Sequence, residues 1–407
     1  MKQVAQDRLQ RLMIYVLPVL ADIVLGLVVF VNPVRAARFG ASATTVAAIV
    51  AVWSAVYIVG CPLVGRFVTA CNAARLMLSG IAMQAVLCLL FVLAPSLLAM
   101  FLLVALVGVA NSLFFPAFQV FMTAVDRLGG KSPAYSAGLY TCAWSLGVAI
   151  GPLVGGLLMG LDHEQGWKYG YFFCSGVSIL TLVGIMWLQH LAHAQAAHPA
   201  ETAAPGVAPA PVPARQPDLA WLGWTVAAAG LLALCTVRGV FPRRAVDIGM
   251  ADSTLGFMFF LLSFAQGLSA LFYIRRWRWV YQAVPAVAFA VLGAACSLVF
   301  GFAISPLMLV AGAAGFGIFS GFFFFQLVYH SIVHPVRRAH YIAVNEMVVA
   351  LGGIVGPLAA GLLSDHWGFG VPYCLWAVLI AAVAVVQVVV HRRVSAPYLA
   401  GLAMQGK

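Results

Sequence analysis

The stretch LGVAIGPLVGGLL, residues Leu146–Leu158, returns 205 positions later as LGGIVGPLAAGLL, residues Leu351–Leu363. Leu, Gly, Gly-Pro-Leu, Gly and Leu-Leu recur at matching places in the two copies. A period this long in a chain of 407 residues indicates two related halves rather than an array of short repeats. Both copies lie in apolar runs of membrane-spanning length, where Gly and Pro are typical of closely packed or bendable helices.

The composition is that of a membrane protein with several spans. Hydrophobic residues make up 64% of the chain and charged residues 8%, whereas a soluble domain averages about 25% charged residues. The net charge of +11 does not indicate nucleic-acid binding, because the basic residues lie between the apolar runs. We therefore expect membrane lipid, and no nucleic acid, around this protein.

Twelve apolar runs are long enough to span a bilayer, which takes roughly 20 residues in a helix. The predicted limits are 12–34, 44–65, 75–94, 97–124, 135–160, 168–190, 220–241, 252–274, 280–302, 305–330, 340–363 and 371–391.

An Ala- and Pro-rich segment, residues 191–219, separates the sixth run from the seventh. This composition cannot bury a core, so it predicts a flexible linker between two six-helix bundles, residues 1–190 and 220–407. With the N-terminus inside, 16 lysines and arginines fall on the inner side and six on the outer side. This asymmetry predicts that both termini and the linker are cytoplasmic. The six assigned to the outer side are Arg35, Arg38, Lys168, Arg238, Arg243 and Arg244.

The duplication extends beyond the opening stretch. Matches at a spacing of 209 occur around the end of the first and seventh helices, and Gln119 returns as Gln326 at a spacing of 207. The matched segments run in the same direction and each half has an even number of helices. The halves are therefore predicted to be parallel repeats about an axis along the membrane normal. The matches at 209 are Pro33 with Pro242, Arg35 with Arg244, Ala36 with Ala245, Gly40 with Gly249 and Thr45 with Thr254.

These features together resemble the major facilitator superfamily, over essentially the whole chain. The fifth helix carries most of that family's GxxxxGPxxGG motif, and the eleventh helix carries a weaker copy. In the loop after the second helix, Leu63 and Arg66 fit a further family motif, while Gly65 stands where the family has Asp. The resemblance implies an all-α fold of twelve helices in two parallel bundles, and transport by alternating access. The motif residues, implied to support conformational change, are Gly147, Gly151, Pro152, Gly155 and Gly156, with Gly352, Gly356, Pro357 and Gly361.

Two acidic residues lie well inside predicted helices, where an ionisable group is costly and is usually functional. Asp22 is near the middle of the first helix, and Glu346 is about five residues into the eleventh. A buried carboxyl group can bind and release a proton, so both are candidates for proton coupling. The alternatives are a helix-packing role for Asp22 and a capping or snorkelling role for Glu346. A pair between Glu346 and His330 is a further hypothesis.

Several other polar or aromatic residues are predicted at or near the depth of a central cavity. Amides are costly in lipid but useful in a wet cavity, although they also bond helices to one another. The candidates for the substrate cavity are Asn111, Gln119, Trp144, Gln266, Gln326, His330 and Asn345.

No enzyme signature is present in the sequence. HExxH, a P-loop and CxxC pairs are absent, so we expect no catalytic residues, no metal and no cofactor. We predict a secondary transporter of the bacterial inner membrane, acting as a monomer and exporting a small organic compound by coupling to protons. The alternatives are proton-coupled uptake of a metabolite, such as a sugar or organic acid, and a receptor or scaffold that transports nothing.

Overall fold

The computed structural model describes residues 2–69, 71–125, 133–162, 164–196, 217–333 and 338–405. In these residues twelve long helices follow one another, joined by connections that are mostly short. The bounds are α1 Lys2–Arg38, α2 Ala43–Gly65, α3 Ala73–Val92, α4 Leu97–Val125, α5 Pro133–Leu161, α6 Gly166–Ala196, α7 Ala220–Asp247, α8 Asp252–Arg275, α9 Ala283–Phe302, α10 Pro306–Val333, α11 Arg338–Trp367 and α12 Gly370–Val390.

All twelve are long and apolar enough to cross a membrane, so the predicted twelve-span fold class is confirmed. A π-helical turn, His391–Ser395, and a short helix α13, Ala396–Gln405, follow α12. Because the number of spans is even, α1 starts and α12 ends on the same face, which we call the terminal face. The opposite face is the far face. Most of the predicted linker, residues 197–216, lies outside the described residues.

Several helices are longer than predicted, α1 and α7 among them. α1 begins at Lys2 rather than residue 12, and α7 continues past Pro242 to Asp247 rather than ending at residue 241. A proline removes one hydrogen bond from a helix, but neighbouring helices in a bundle make that loss tolerable. The far ends of α1 and α7 therefore extend beyond Pro33 and Pro242 and reach the other half of the molecule.

The same turn follows α1 and α7. Gly40 and Gly249 have φ angles of +77° and +66°, a conformation that favours glycine. Ala41 N–H donates to Ala36 O at 3.1 Å, and Met250 N–H donates to Ala245 O at 2.9 Å. The sequence repeat at a spacing of 209 is thus a repeat of helix-ending geometry.

Helix packing repeats in the same way. Contacts of α1 with α5, of α2 with α4 and of α3 with α6 have counterparts in α7 with α11, α8 with α10 and α9 with α12. The halves meet through α5 against α8 and α2 against α11, which are themselves equivalent pairs. α1 and α7 are central, with 72% and 67% of their most apolar segments buried, against 33% for α9.

Candidate functional site

A cavity of about 410 Å³ lies between the two halves. It is lined by α1, α2, α4 and α5 from the first half and by α7, α10 and α11 from the second. Its lining extends from the middle of α1 and α7 toward the terminal face along α4, α10 and α11. Five residues predicted for proton coupling or the cavity are in the lining: Asp22, Gln119, Trp144, Asn345 and Glu346.

Asp22 occupies the centre of this arrangement. Its side chain is 4% exposed, and its Oδ2 atom is buried without a hydrogen-bond partner. Arg238 of α7 faces it from the other half, and the two charges attract each other. Within the described residues, ion pairs join Arg38 to Asp252 and Arg243 to Asp247, but none joins Asp22 to Arg238. The central charges are therefore close enough to interact and are not locked together.

Arg238 is a correction to the sequence analysis, which assigned it to the outer side of the membrane. It lies inside α7 before Pro242 and lines the cavity. Its Nη2 atom donates to Ser263 Oγ of α8 at 3.3 Å. The error arose because basic residues were counted by side, although Arg238 falls within the predicted limits of the seventh helix. That position, a charge inside an apolar run, was the signal that could have identified it.

Glu346 of α11 is nearer the terminal face. It acts electrostatically on Tyr57 and Cys61 of α2 and on Tyr140 of α5, so it faces the first half across the cavity. The Tyr140 hydroxyl lies beside the Gln119 amide. A second carboxyl group thus stands opposite hydroxyl and thiol groups rather than opposite a cation.

The walls between the two carboxyl groups are aromatic. Trp53 stacks on Tyr57 with ring centroids 5.2 Å apart and planes at 13°. On the opposite side, Trp144 meets Phe324 edge to face at 4.8 Å. Periodicity gave no means of choosing these rings, because which face of an apolar helix points inward is decided by its neighbours.

Asn345 lines the cavity, and its side-chain oxygen accepts two hydrogen bonds. Its Oδ1 accepts from Trp224 Nε1 at 2.8 Å and from Ser331 Oγ at 2.8 Å. Because both bonds come from the second half, they fix the position of α11 next to α7 and α10. Asn345 is therefore placed to set the direction of the adjacent Glu346.

Gln266 lies outside the cavity lining and connects the two halves instead. Its Nε2 donates to Ser145 Oγ of α5 at 2.7 Å, and its Oε1 accepts from Ser320 Oγ of α10 at 2.9 Å. All three side chains are buried. This chain of hydrogen bonds joins α5, α8 and α10 at mid-membrane depth.

The other predicted polar residues also lie away from the lining. Gln326 accepts from Gln387 Nε2 of α12 at 3.2 Å, and Asn111 is buried in α4. His330 packs edge to face on Tyr281, with ring centroids 5.3 Å apart. In the described part of the chain no ion pair joins His330 to Glu346. The duplicated glutamines thus occupy different environments, since Gln119 lines the cavity and Gln326 does not.

The glycines of the repeated motif are the points at which helices come closest. A Cβ atom at Gly147 would lie 2.5 Å from Val19 O of α1, and one at Gly156 would lie 2.5 Å from Asp252 O of α8. In the second half, a Cβ at Gly356 would lie 2.7 Å from Leu232 O of α7. The remaining motif residues make similar approaches: Gly151 to α1, Gly155 to Phe30, Gly352 to Leu231, Gly361 to Thr44, Pro152 to Gly256 and Pro357 to Gly239.

Among the described residues, polar contacts at three places join the halves on the far face, and we call them the far-face links. Arg38 pairs with Asp252, and Arg243 Nη1 donates to Ala37 O at 3.1 Å. Asp365 at the end of α11 accepts from the backbone N–H groups of Ala43 and Thr44 at 2.9 and 3.0 Å. The cavity is therefore closed toward the far face.

Comparison with known proteins identifies the family. The sequence profile of the Major Facilitator Superfamily matches residues 14–334, from within α1 to just beyond α10. The chain belongs to the Major Facilitator Superfamily. No curated protein matches it. As a member with twelve membrane-spanning helices, this protein is a secondary transporter, and its family consists of transporters rather than enzymes. Among the described residues, no cluster of three His, Cys, Asp or Glu side chains could hold a metal ion.

Proposed function

We propose that this transporter couples the movement of a small organic compound to protons, with Asp22 as the main proton-binding group. The observation that carries the proposal is the buried, unpartnered carboxyl oxygen of Asp22, which faces Arg238 across the cavity. Away from water, a carboxylate is stable only beside a compensating charge or as the neutral acid. Loading a proton onto Asp22 removes its attraction to Arg238 and so changes a force between the two halves.

Glu346 is the second proton-binding candidate. It is on α11, which contacts the first half through α2, so its charge acts on the same moving interface. Its neighbours Tyr57 and Tyr140 can donate hydrogen bonds but cannot neutralise it. We therefore expect Glu346 to respond to protons arriving from the terminal face, and Asp22 to those that reach the centre.

The size and lining of the cavity fit a small, largely apolar compound. A volume of about 410 Å³ lies within the range of roughly 300–1,000 Å³ that ligand pockets occupy. We infer from the asymmetry of Lys and Arg that the terminal face is cytoplasmic, in the inner membrane of a bacterium. With the far-face links closed, the cavity is then in its cytoplasm-facing state.

For the direction of transport, export by exchange for protons is the first candidate. It is supported by the resemblance of Leu146–Leu158 to the motif of exporters in this family. Uptake of an organic acid together with a proton is the second candidate, and Arg238 favours it. A guanidinium group in the cavity can bind a carboxylate, and it is most available when Asp22 carries a proton.

The test starts from purified protein, because a compound that binds the native state raises its melting temperature. A compound found in this way is then followed in proteoliposomes. Asp22→Asn is expected to fold, to lose transport driven by a proton gradient, and to retain exchange of substrate for substrate better. Asp162→Asn is the matched control, because among the described residues the Asp162 side chain accepts from the neighbouring N–H groups of Glu164 and Gln165 in a far-face turn.

An Asp22→Asn protein that concentrates substrate at the wild-type rate would remove Asp22 from the mechanism and make Glu346→Gln the next variant. If both variants remain fully active, proton coupling through these carboxyl groups is wrong. Direction is read separately: an imposed gradient, acidic on the far side, drives substrate toward the terminal side in symport and away from it in exchange.

A further inference from the structure

We infer that Arg238 binds the carboxylate of the substrate, that the substrate is a small aromatic acid, and that it binds together with a proton on Asp22. The inference rests on the proposed function, since it names the substrate class for the same cavity. For the direction of transport, it favours the second candidate above, uptake of an organic acid together with a proton, over export by exchange. The supporting observation is that Arg238 on α7 and Asp22 on α1 line the same cavity, whose walls carry aromatic rings.

Arg238 has unused hydrogen-bonding capacity. It is the only cation among the described residues that line the cavity. A guanidinium group has five N–H donors. Among the described residues, Arg238 uses one of them, in a hydrogen bond of 3.3 Å to Ser263 Oγ. Its planar fork of donors matches a carboxylate, which accepts two parallel hydrogen bonds from it. An anion entering the cavity therefore finds donors that the protein itself leaves available.

The charges around Arg238 explain why a proton would accompany the anion. The cation needs one negative partner in a poorly hydrated space, and Asp22 supplies it when ionised. A second anion is then repelled by Asp22 unless that carboxyl group takes up a proton. The other titratable groups that line the cavity are Tyr57, Tyr140, Cys235 and Glu346, none of which adds a second cation.

The aromatic walls favour a ring on the substrate. The stacked pair Trp53 and Tyr57 is on one side of the cavity, and Trp144 with Phe324 is on the other. A ring placed between them makes stacked and edge-to-face contacts while its carboxylate reaches Arg238. A sugar would leave its hydroxyl groups against these apolar walls, and an aliphatic dicarboxylate would have one charge without a cation.

Benzoate and benzamide are matched probes, because they have the same shape and differ in charge. We expect benzoate to bind the purified wild-type protein at least about tenfold more tightly than benzamide, as measured by calorimetry in detergent. Its affinity should fall as the pH rises, and binding should take up protons from the buffer, because binding linkage is reciprocal. Equal affinity for the two probes, or binding without proton uptake, overturns the inference.

Variants test the roles of Arg238 and Asp22 in benzoate binding separately. Arg238→Gln should remove the preference for benzoate over benzamide, and Arg238→Lys should retain part of it. Asp22→Asn should bind benzoate at least as tightly as the wild type and without dependence on pH. Arg278→Gln is the control, since Arg278 is an exposed residue after α8 at the terminal face. Weaker benzoate binding by Asp22→Asn contradicts the arrangement, and so does an unchanged preference in Arg238→Gln.

Failure of this inference is distinguishable from failure of the proposed function. If transport of a neutral or cationic compound depends on Asp22 and on the proton gradient while benzoate does not bind, proton coupling stands and the substrate class is wrong. If benzoate binds with proton uptake but no compound moves with the gradient, the binding site stands and coupled transport is wrong.

Discussion

One glycine positions the central acid. Gly147 packs α5 so closely on α1 that an added Cβ would lie 2.5 Å from Val19 O and 2.6 Å from Asp22 Cβ. Both contacts involve atoms of α1 that cannot move without displacing the helix. The motif residue and the proton-binding candidate are therefore parts of one contact.

We expect Gly147→Ala to lower the melting temperature, because overpacking of a tight contact costs about 1–3 kcal/mol. It should also reduce proton-driven transport more than substrate exchange, since it shifts Asp22 relative to Arg238. Gly176→Ala in α6 is the control, as a Cβ there would have no neighbour within 4 Å. A Gly147→Ala protein that melts and transports as the wild type would contradict this reading of the contact.

At the residue scale, the sequence located the two acids that line the cavity, Asp22 and Glu346, but it assigned the cation of the cavity, Arg238, to the outer side of the membrane. Asp22 stands alone in an apolar run, whereas Arg238 is followed closely by Arg243 and Arg244 and was counted with them. Gln266 was predicted from its depth alone, and depth does not say whether an amide faces a cavity or a neighbouring helix. Side-chain direction depends on how helices pack, which a single sequence of apolar runs does not determine.

At the scale of the helices, the N-terminus of α2 is capped by a residue of the other half. The first N–H groups of a helix have no partner within it. Ser42 Oγ satisfies that of Thr45 at 3.2 Å, while Asp365 of α11 satisfies those of Ala43 and Thr44. Opening of the far face must separate Asp365 from α2, so this link stabilises the closed far face.

We expect Asp365→Ala to shift the protein toward a far-open state. A cysteine at Val29, which lines the cavity, reports this when the native cysteines are replaced. Its reaction with an impermeant thiol reagent added at the far side should become several-fold faster. Asp162→Ala is the control, because Asp162 caps a turn within its own half. Unchanged labelling would show that the other far-face links hold the closed state without Asp365.

The sequence predicted the twelve helices and the repeated motif, because both can be recognised from short stretches of sequence. It did not predict that Gly147 and Gly151 pack within a half while Gly156 packs between halves. The residues are one or two turns apart on α5, and the partner of each depends on where α8 crosses. Crossing positions are a property of the assembled bundle.

For the molecule as a whole, orientation is still a prediction from charge. The linker and both termini should be cytoplasmic, because Lys and Arg are concentrated on that side. A cysteine placed at residue 206, in the part of the linker outside the described residues, should be protected in intact cells and modified after permeabilisation. A cysteine at Glu164, in a far-face turn, should react from outside and serves as the control. Ready labelling of the linker in intact cells would reverse the orientation.

The same linker is expected to tolerate shortening. Its Ala- and Pro-rich composition predicts no packing of its own, so removal of a few residues from 200–212 should leave the melting temperature and transport unchanged. Thermal unfolding of the purified protein measures the first, and exchange in proteoliposomes the second. Loss of folded protein after so small a deletion would show that the segment contacts the bundle.

Arg35 and Arg244 have a consequence for how the protein is made. Each reaches the carbonyl that follows the third helix of its own half, Ala94 at 3.2 Å and Ala303 at 2.9 Å. Both contacts join segments less than a hundred residues apart and need nothing from the other half. During synthesis, the first bundle can therefore complete its internal packing while the second is still emerging from the ribosome. The far-face links and the hydrogen bond of Gln266 to Ser145 then form last, when the two folded bundles meet.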